Sequence, residues 1–456
     1  MKKITLRATA VAVAALAAGQ AWATNGMLME GYGPIALSMG GASQAYDNGT
    51  AGMMNNVATL QLGENGTRAD VALGVLGPNV TAMGDKSGGT SYVMPAVGWT
   101  RKTDQMTFGV GLMGQGGMGT EYGASSPLAM NTGANVRSEL SVGRVIFPFS
   151  YQATPDVTLG ASIDYTWAGM DMKMAATSQD LLGMYAAGNG WDLTTAQTNF
   201  GGMVSQINQM LSGNSQPTLG QVSLARLDFS NSSDFTGSAK SGGFTGKLGM
   251  TFKANKDTTV AISYQLKTRL ADMKTGANAA TFTLMDGTVS FPMTGRLVIR
   301  DFQMPAVLAA GVSYQANPQL MLAADVKSID WSSVMSSFNM TFESAMGDMK
   351  FTMPQNWKDQ TVISLGGAYK MSDALVLRAG YSHSTNPVPD STVHPLFPAI
   401  VKNHYTAGFG YQIDKNMSVN AAVSHAPKVT VAAGQLSGAA ITHSQTNYQL
   451  MLSYRY

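Results

Sequence analysis

The chain has 456 residues, 51 glycines, no cysteine and only 12% charged residues, about half the charge of an ordinary soluble domain. Without cysteine there is no disulfide framework and no thiolate metal site. With Lys2, Lys3 and Arg7 of the leader set aside, 26 basic side chains stand against 27 acidic ones, which excludes the clustered positive charge that nucleic acid requires.

Lys2, Lys3 and Arg7 precede an apolar run from Ala8 to Ala18, and Ala21-Trp22-Ala23 offers small residues around a cleavage point. This is the plan of a secretory signal peptide over residues 1–23, with Thr24 as the first mature residue. The run is shorter than the roughly 20 apolar residues of a membrane anchor. No later stretch reads as a transmembrane helix, so a membrane-integral mature chain must be a closed barrel. Residues 24–67 do not alternate. They are apolar and glycine-rich, from Gly31 through Gly40-Gly41-Ala42 to Asp47-Asn48, then Met53-Met54-Asn55-Asn56-Val57-Ala58. Such a segment would be poorly solvated outside a barrel and would plug the lumen inside one.

From residue 68 to 456 the pattern changes to strands. Tyr151-Gln152 before Pro155-Asp156 is echoed by Phe252-Lys253 before Asp257, Tyr314-Gln315 before Asn317-Pro318, Tyr369-Lys370 before Asp373 and Tyr411-Gln412 before Asp414. Each copy has an aromatic, a polar residue, a short turn rich in Asn, Asp and Pro, then alternating apolar residues. That is hairpin chemistry, with the ring placed at headgroup level of one interface. Val157, Leu159, Ala161, Ile163, Tyr165 and Trp167 alternate with Thr158, Gly160, Ser162, Asp164 and Thr166. The last strand sets Tyr448, Leu450, Leu452, Tyr454 and Tyr456 against Gln449, Met451, Ser453 and Arg455. Leucines between tyrosines fit a strand crossing lipid between aromatic girdles. The five copies plus Arg101-Lys102-Thr103-Asp104 give six short turns on one side. They predict an all-β fold: a 14-stranded antiparallel transmembrane β-barrel with an N-terminal plug, an even strand number as bacterial barrels require.

Long connections fall on the other side: Pro127 to Gly133, Met172 to Ala239, Lys274 to Pro292, Ser384 to Ile400 and Pro427 to Thr442. Within residues 172–239, Leu181, Leu182 and Tyr185, then Phe200, Met203, Val204, Ile207, Met210 and Leu211, follow helical spacing. These apolar faces either pack together as a cap or offer a landing site for an apolar ligand. The 32 methionines suit a pocket of adaptable shape, and equally the filling of a core.

The N-terminal segment resembles the hatch of the long-chain fatty acid outer-membrane transporter family (FadL/TodX type), which reads roughly G-x-G-x-x-x-L-x-M-G-G-A. The match falls on Gly31, Gly33, Leu37, Met39, Gly40, Gly41, Ala42, Asp47 and Asn55, with Asn55-Asn56-Val57 where the family has Asn-Pro-Ala. Pro305 through Trp331, Trp357-Lys358-Asp359, Arg378-Ala379-Gly380-Tyr381 and Pro387-Val388-Pro389-Asp390 resemble later family segments. The resemblance implies a 14-stranded barrel with a hatch that includes Gly40, Gly41, Asp47, Asn55 and Asn56. It also implies a kinked third strand through which ligand leaves sideways into the membrane. Gly111, Gly114, Gly116 and Gly117 mark that strand here, and mid-strand glycine weakens pairing. Gly109, Gly111 and Gly114 also form a G-x-G-x-x-G, but no βαβ unit surrounds it.

Family members that take fatty acids hold the carboxylate with basic residues. The corresponding positions are Met172 and Met353, with Lys173 and Lys350 nearby, so a neutral aromatic or aliphatic hydrocarbon is the alternative ligand. The expected setting is the Gram-negative outer membrane, with lipid, lipopolysaccharide and the barrel assembly machinery as partners and the chain as a monomer. No cofactor is implied. An enzyme would need a nucleophile with a base and an orienter, yet His383, His394, His404, His425 and His443 are scattered, without metal-ligand spacing. A general diffusion porin needs a charged, open constriction, which low charge and a plug oppose.

Overall fold

Alternation decides which way each wall residue points. In Val157–Thr177, Leu159, Ile163 and Tyr165 are exposed while Ser162, Asp164 and Thr166 are buried. In Ala439–Arg455, Tyr448, Leu450, Leu452 and Tyr454 are exposed while Gln449, Met451 and Ser453 are buried. An exposed row of leucine and isoleucine over a buried row of serine and threonine inverts the soluble pattern, and the apolar face is the one that meets lipid.

The structure, a computed structural model, describes residues 25–233, 236–434 and 438–456; the leader expected at 1–23 lies outside the described residues. Five strands open the sheet: β1 (Gly66–Ala82), β2 (Tyr92–Lys102), β3 (Met106–Tyr122), β4 (Val136–Gln152) and β5 (Val157–Thr177). Each pairs antiparallel with the next, and β5 passes to Ala239–Lys253. Pairing continues through Thr258–Gln265, Val307–Asn317, Leu320–Ile329 and Gln360–Lys370. Leu375–Ser384, Asn403–Gln412 and Met417–Ala433 follow. Ala439–Arg455 then returns to β1 from Arg68↔Arg455 to Ala82↔Ile441. The wall is closed, so its backbone groups pair without an edge in hydrocarbon.

The expected count of 14 describes the closed ring alone and not the whole sheet, which among the described residues contains 22 strand segments. Turn chemistry marks only the short-turn side. The long connections carry further short strands, among them Leu224–Phe229, Ala280–Met285, Ser290–Arg300, Ser337–Ser344 and Gly347–Pro354. They pair with one another and with the far end of β5, extending the wall away from the short turns. The connection expected to leave the sheet at Met172 also starts later, because β5 runs on to Thr177. Two helices follow, α1 (Ser178–Asn189) and α2 (Leu193–Gly213). The Thr177 hydroxyl accepts from Asp180 N at 3.1 Å and the Asp192 carboxylate from Thr195 N at 2.7 Å, satisfying donors at each helix start.

Four of the repeated turns close alike. Ala153, Ala254, Met371 and Ile413 donate their N–H to the carbonyls of Val157, Thr258, Leu375 and Met417 at 2.9, 2.9, 2.8 and 2.9 Å. The copy after Tyr314 differs by a bulge between Gln315 and Asn317. The preceding aromatics Tyr151, Phe252, Tyr314, Tyr369 and Tyr411 are all exposed, at the level of one interface.

Ile163, 69% exposed, is the sharpest test of the lipid face. Ile163→Arg should destabilise the barrel by about 2–4 kcal/mol, the range for a cation at the bilayer midplane. Denaturant unfolding in phospholipid vesicles would measure the loss; a change within 0.5 kcal/mol, roughly that of a solvated surface, would contradict the assignment.

Candidate functional site: a filled lumen beneath an apolar cap

Residues 25–62 lie almost wholly buried against the inner wall. A five-residue helix over Gly33–Leu37 and 3-10 turns at Gly49–Met53 and Val57–Leu62 leave many backbone groups of this segment needing outside partners, and inward polar side chains supply them. Asp70 Oδ2 accepts from Thr50 N at 2.8 Å, and Ser150 Oγ donates to Val57 O at 2.6 Å. Asp325 Oδ2 accepts from Ser43 N at 2.6 Å and Gln44 N at 3.2 Å. Thr406 Oγ1 accepts from Gly40 N at 2.8 Å. Lys247 Nζ donates to the carbonyls of Met54 and Asn55, and Lys327 Nζ to those of Glu30 and Gly41. These partners come from all around the ring, so the segment occupies the lumen.

Wall glycines make the approach close enough. A Cβ on Gly380 would strike the Gly40 nitrogen, one on Gly366 the Met39 carbonyl, and one on Gly249 the Asn56 side chain. Gly40 and Gly41 turn through φ +68° and +80°, where L side chains are strained, and a Cβ on Gly40 would meet the Tyr381 backbone at 2.6 Å. Asp47 accepts from Gly49 N at 2.8 Å and lies 3.5 and 3.6 Å from Arg68 and Arg455. Asn55 Nδ2 donates to Tyr32 O at 2.9 Å and Asn48 Oδ1 at 2.8 Å. Asn56 accepts from Ala58 N at 3.1 Å and donates to Gln44 O at 2.9 Å, which caps the turn at Val57–Leu62.

Strand β3 is irregular where its glycines cluster. Its pairing with β4 shifts register between Gly114 and Gly116. Its pairing with β2 stops at Ala96↔Met113, leaving Tyr92 to Pro95 outside that ladder. The N-terminal segment reaches the same spot: Leu28 bridges to Gly116, and Tyr32 Oη donates to Gln115 O at 2.6 Å. A cavity of about 90 Å³ opens there, lined by Gly26, Pro78, Tyr92, Met94, Gly117 and Leu140 among others. Gly111 is different; it sits in regular pairing opposite Gly98 and Ile146 and lies against Met53.

Above the segment lies one continuous apolar cluster, running from Leu28 through Trp331, Phe338 and Met340 to the underside of the helices. Leu181, Tyr185 and Ile207 are buried in it, while Leu182, Phe200, Met203 and Val204 pack against it half-buried. Met210 is 47% exposed. Tyr185 meets Phe351 at 6.1 Å and Phe351 meets Phe282 at 5.4 Å. The most buried of the helical positions are therefore part of the cap. Outside the cluster, Asp286 ties the chain after α2 to a neighbouring hairpin by accepting from Gly220 N at 2.6 Å and Val289 N at 2.6 Å. These N–H donors hold its carboxyl below the usual range, so the tether loosens only when acid protonates it below the ordinary aspartate pKa of about 4.

Met172 and Met353 both lie buried in the cluster. Lys173 points away and donates to Ser232 Oγ at 3.2 Å, and Lys350 is exposed. No basic side chain from these four reaches the cluster. Sequence reasoning missed Arg144, Lys247 and Lys327, inward lower in the lumen, the first two buried and the third half-buried. Period-two alternation carried the signal: Arg144 pairs across from Thr166, on the buried row of β5. Arg144 Nη1 lies 3.0 Å from Asp164 Oδ2, both 1% exposed.

A closed strand wall with an apolar exterior and a filled lumen defines an integral outer-membrane β-barrel. A sequence profile described as outer membrane protein transport protein (OMPP1/FadL/TodX) matches residues 7–453, and the chain belongs to that family of transport proteins, which are not enzymes. The Pseudomonas putida toluene transporter TodX is 30% identical, with a TM-score of 0.76 over 94% of this chain and 99% of its own. The Ralstonia pickettii toluene transporter TbuX is 28% identical, with a TM-score of 0.74 over 94% and 99%. A long-chain fatty acid transport protein of Salmonella typhi is 21% identical over 61% of this chain and 66% of its own length. A Chlorobium limicola relative is 37% identical over 23% of this chain and 56% of its own. The chain thus spans between half and two thirds of the length of these two curated relatives.

Gly380→Val should push Met39 to Gly41 off the wall. Planar-bilayer recording is expected to show a conductance at least about twofold above that of the unchanged protein; equal conductance would mean the segment does not limit the pore.

Proposed function

We propose that this protein carries small hydrophobic molecules, long-chain fatty acids first among them, from the cell exterior into the outer membrane. Half-buried Leu182, Phe200, Met203 and Val204, with exposed Met210, capture the ligand. It moves into the apolar cluster beside Met172 and Met353, and the N-terminal segment of residues 24–67 acts as a hatch beneath it. The observation that carries the reading is the interrupted β2–β3 ladder. Where pairing ends at Ala96↔Met113, an apolar-lined cavity adjoins both the segment and the wall. A greasy ligand leaving there enters lipid directly, whereas passage to the periplasmic water would cost about 25 cal/mol for every Å² of apolar surface exposed. The exposed belt of leucine and aromatic residues is the surface for lipid and lipopolysaccharide, and one copy of the chain suffices. Export by a cleaved leader and insertion by the barrel assembly machinery complete the reading.

Neutral aromatic or aliphatic hydrocarbons are the second reading. It is favoured by the uncharged Met172 and Met353 and by the likeness to toluene transporters.

Uptake of labelled oleate and labelled toluene by a transporter-deficient host carrying this gene separates the two. Oleate uptake is expected; toluene uptake alone would move the assignment to hydrocarbons. Removing Gln115, the extra residue of the β3 bulge, should realign the β3–β4 ladder and lower uptake of either ligand at least about tenfold. Unchanged uptake in a folded barrel would sink the lateral exit.

A further inference from the structure

The cavity beside the β3 irregularity is apolar for the most part, with Leu76, Val80, Met94 and Leu140 in its lining, yet His443 and Gln445 of the last strand line it too. His443 lies on the inward row of Ala439–Arg455, opposite Val80 of β1, and is 5% exposed. Its ring is fixed from one side. Nδ1 lies 2.5 Å from the Pro398 carbonyl oxygen, and a carbonyl only accepts, so Nδ1 carries the proton. In the neutral ring that leaves Nε2 a bare acceptor. Within hydrogen-bond distance and angle, Nε2 has no partner among the described residues.

The carbonyl that holds the ring is itself held. The stretch from Pro395 to Ile400 folds back against β3 and β4. Thr120 Oγ1 and Tyr122 Oη donate to Pro395 O at 3.2 and 3.3 Å, and Ser138 Oγ donates to Leu396 O at 2.5 Å. Turning the ring would break the Pro398 bond, so His443 keeps one nitrogen on this stretch and offers the other to the cavity. The remaining polar groups are committed. Gln445 stands beside the ring and gives its amide to Asn447 Oδ1 at 2.8 Å. Glu139, the carboxylate of the lining, is paired with Arg137. A buried acceptor without a partner is uncommon in a folded protein. Set in an apolar lining, it suits a ligand that brings its own donor.

We propose that this cavity recognises a hydrophobic molecule bearing a hydroxyl group, an alcohol or a phenol, whose O–H donates to His443 Nε2 while its apolar body lies against Leu76, Val80, Met94 and Leu140. The site rests on the transport reading above and adds a substrate class, hydroxylated hydrocarbons over bare ones. A hydrocarbon or an ether would fill the same space and leave Nε2 without a partner, the means by which a site that bonds a hydroxyl rejects the analogue lacking it.

The test uses the full-length protein in phosphatidylcholine vesicles, titrated with two isomers: para-cresol, which donates a hydrogen bond, and anisole, which only accepts. Binding is read from the nitrogen NMR signals of isotope-labelled histidine, with His443 assigned by its absence from either His443→Asn or His443→Gln. Cresol should bind about fivefold tighter than anisole, the scale of one neutral hydrogen bond. Cresol should also shift the Nε2 signal, and anisole should leave it unmoved. His443→Asn can keep the bond to Pro398 through its amide but has no acceptor that reaches as far as Nε2, so it should bind both isomers equally. The Nε2 shift in the unchanged protein decides the matter if that variant fails to assemble. Equal affinities with an unmoved Nε2 signal would overturn the site and leave the transport reading standing. A cresol preference that survives in His443→Asn would also overturn it and move the hydroxyl to Glu139. Binding of neither isomer would overturn it as well, and only joint loss of oleate and toluene uptake would take the transport reading with it.

Discussion

A chain that crosses hydrocarbon must satisfy each backbone N–H and C=O within itself, and everything else in this molecule follows from how that is done. The strands close into a ring, with Ala439–Arg455 paired to β1 along its length. Closure turns one face of every strand to lipid and the other to a lumen, so alternation becomes an inside–outside code. The same rule gives the β3 irregularity its meaning. Tyr92 to Pro95 leave the β2–β3 ladder, and such a break stands at membrane depth only where protein or a cavity covers the freed groups. The N-terminal segment is the structure that reaches it.

The lumen is filled by inverting the usual arrangement of a core. Backbone amides and carbonyls of a glycine-rich segment are held by side chains of Asp70, Ser150, Lys247, Asp325, Lys327 and Thr406. Hydrogen bonds to charged partners are worth about 1.5–3 kcal/mol each. Such a segment is held firmly yet can be released by competition for its partners. The Arg144–Asp164 pair is of another kind. Both groups are buried, and loss of either partner would strand a charge at a cost of about 3–5 kcal/mol, which suits a fixed strut.

The barrel wall was legible because lipid imposes period two on the sequence without exception from neighbouring domains. Leu159, Ile163, Leu450 and Leu452 point outward as their spacing requires, and the repeated turns after Tyr151 and Tyr411 close with the same hydrogen bond. The short strands added beyond the closed ring were less legible. Leu224–Phe229 and Gly347–Pro354 sit above the membrane, where no solvent contrast enforces a turn signature or aromatic belt. The candidate site was legible in part. The cluster of Gly114, Gly116 and Gly117 marked the β3 irregularity, but Gly111 proved to be an ordinary ladder position made small for Met53. The inward cations were readable in principle, since Arg144 falls on the polar row. That Arg144, Lys247 and Lys327 line one cavity was not, because it forms from β4, Ala239–Lys253 and Leu320–Ile329 together, and register across a closed ring is not written in any one strand.

The route itself is the central claim, and a structure determined with a bromine-labelled long-chain ligand tests it most directly. Anomalous bromine density is expected in the apolar cluster beside Met172 and Met353 and at the cavity between Tyr92 and Gly117. Density beneath the N-terminal segment, in the polar space near Arg68 and Arg455, would contradict lateral exit and place the path through the lumen.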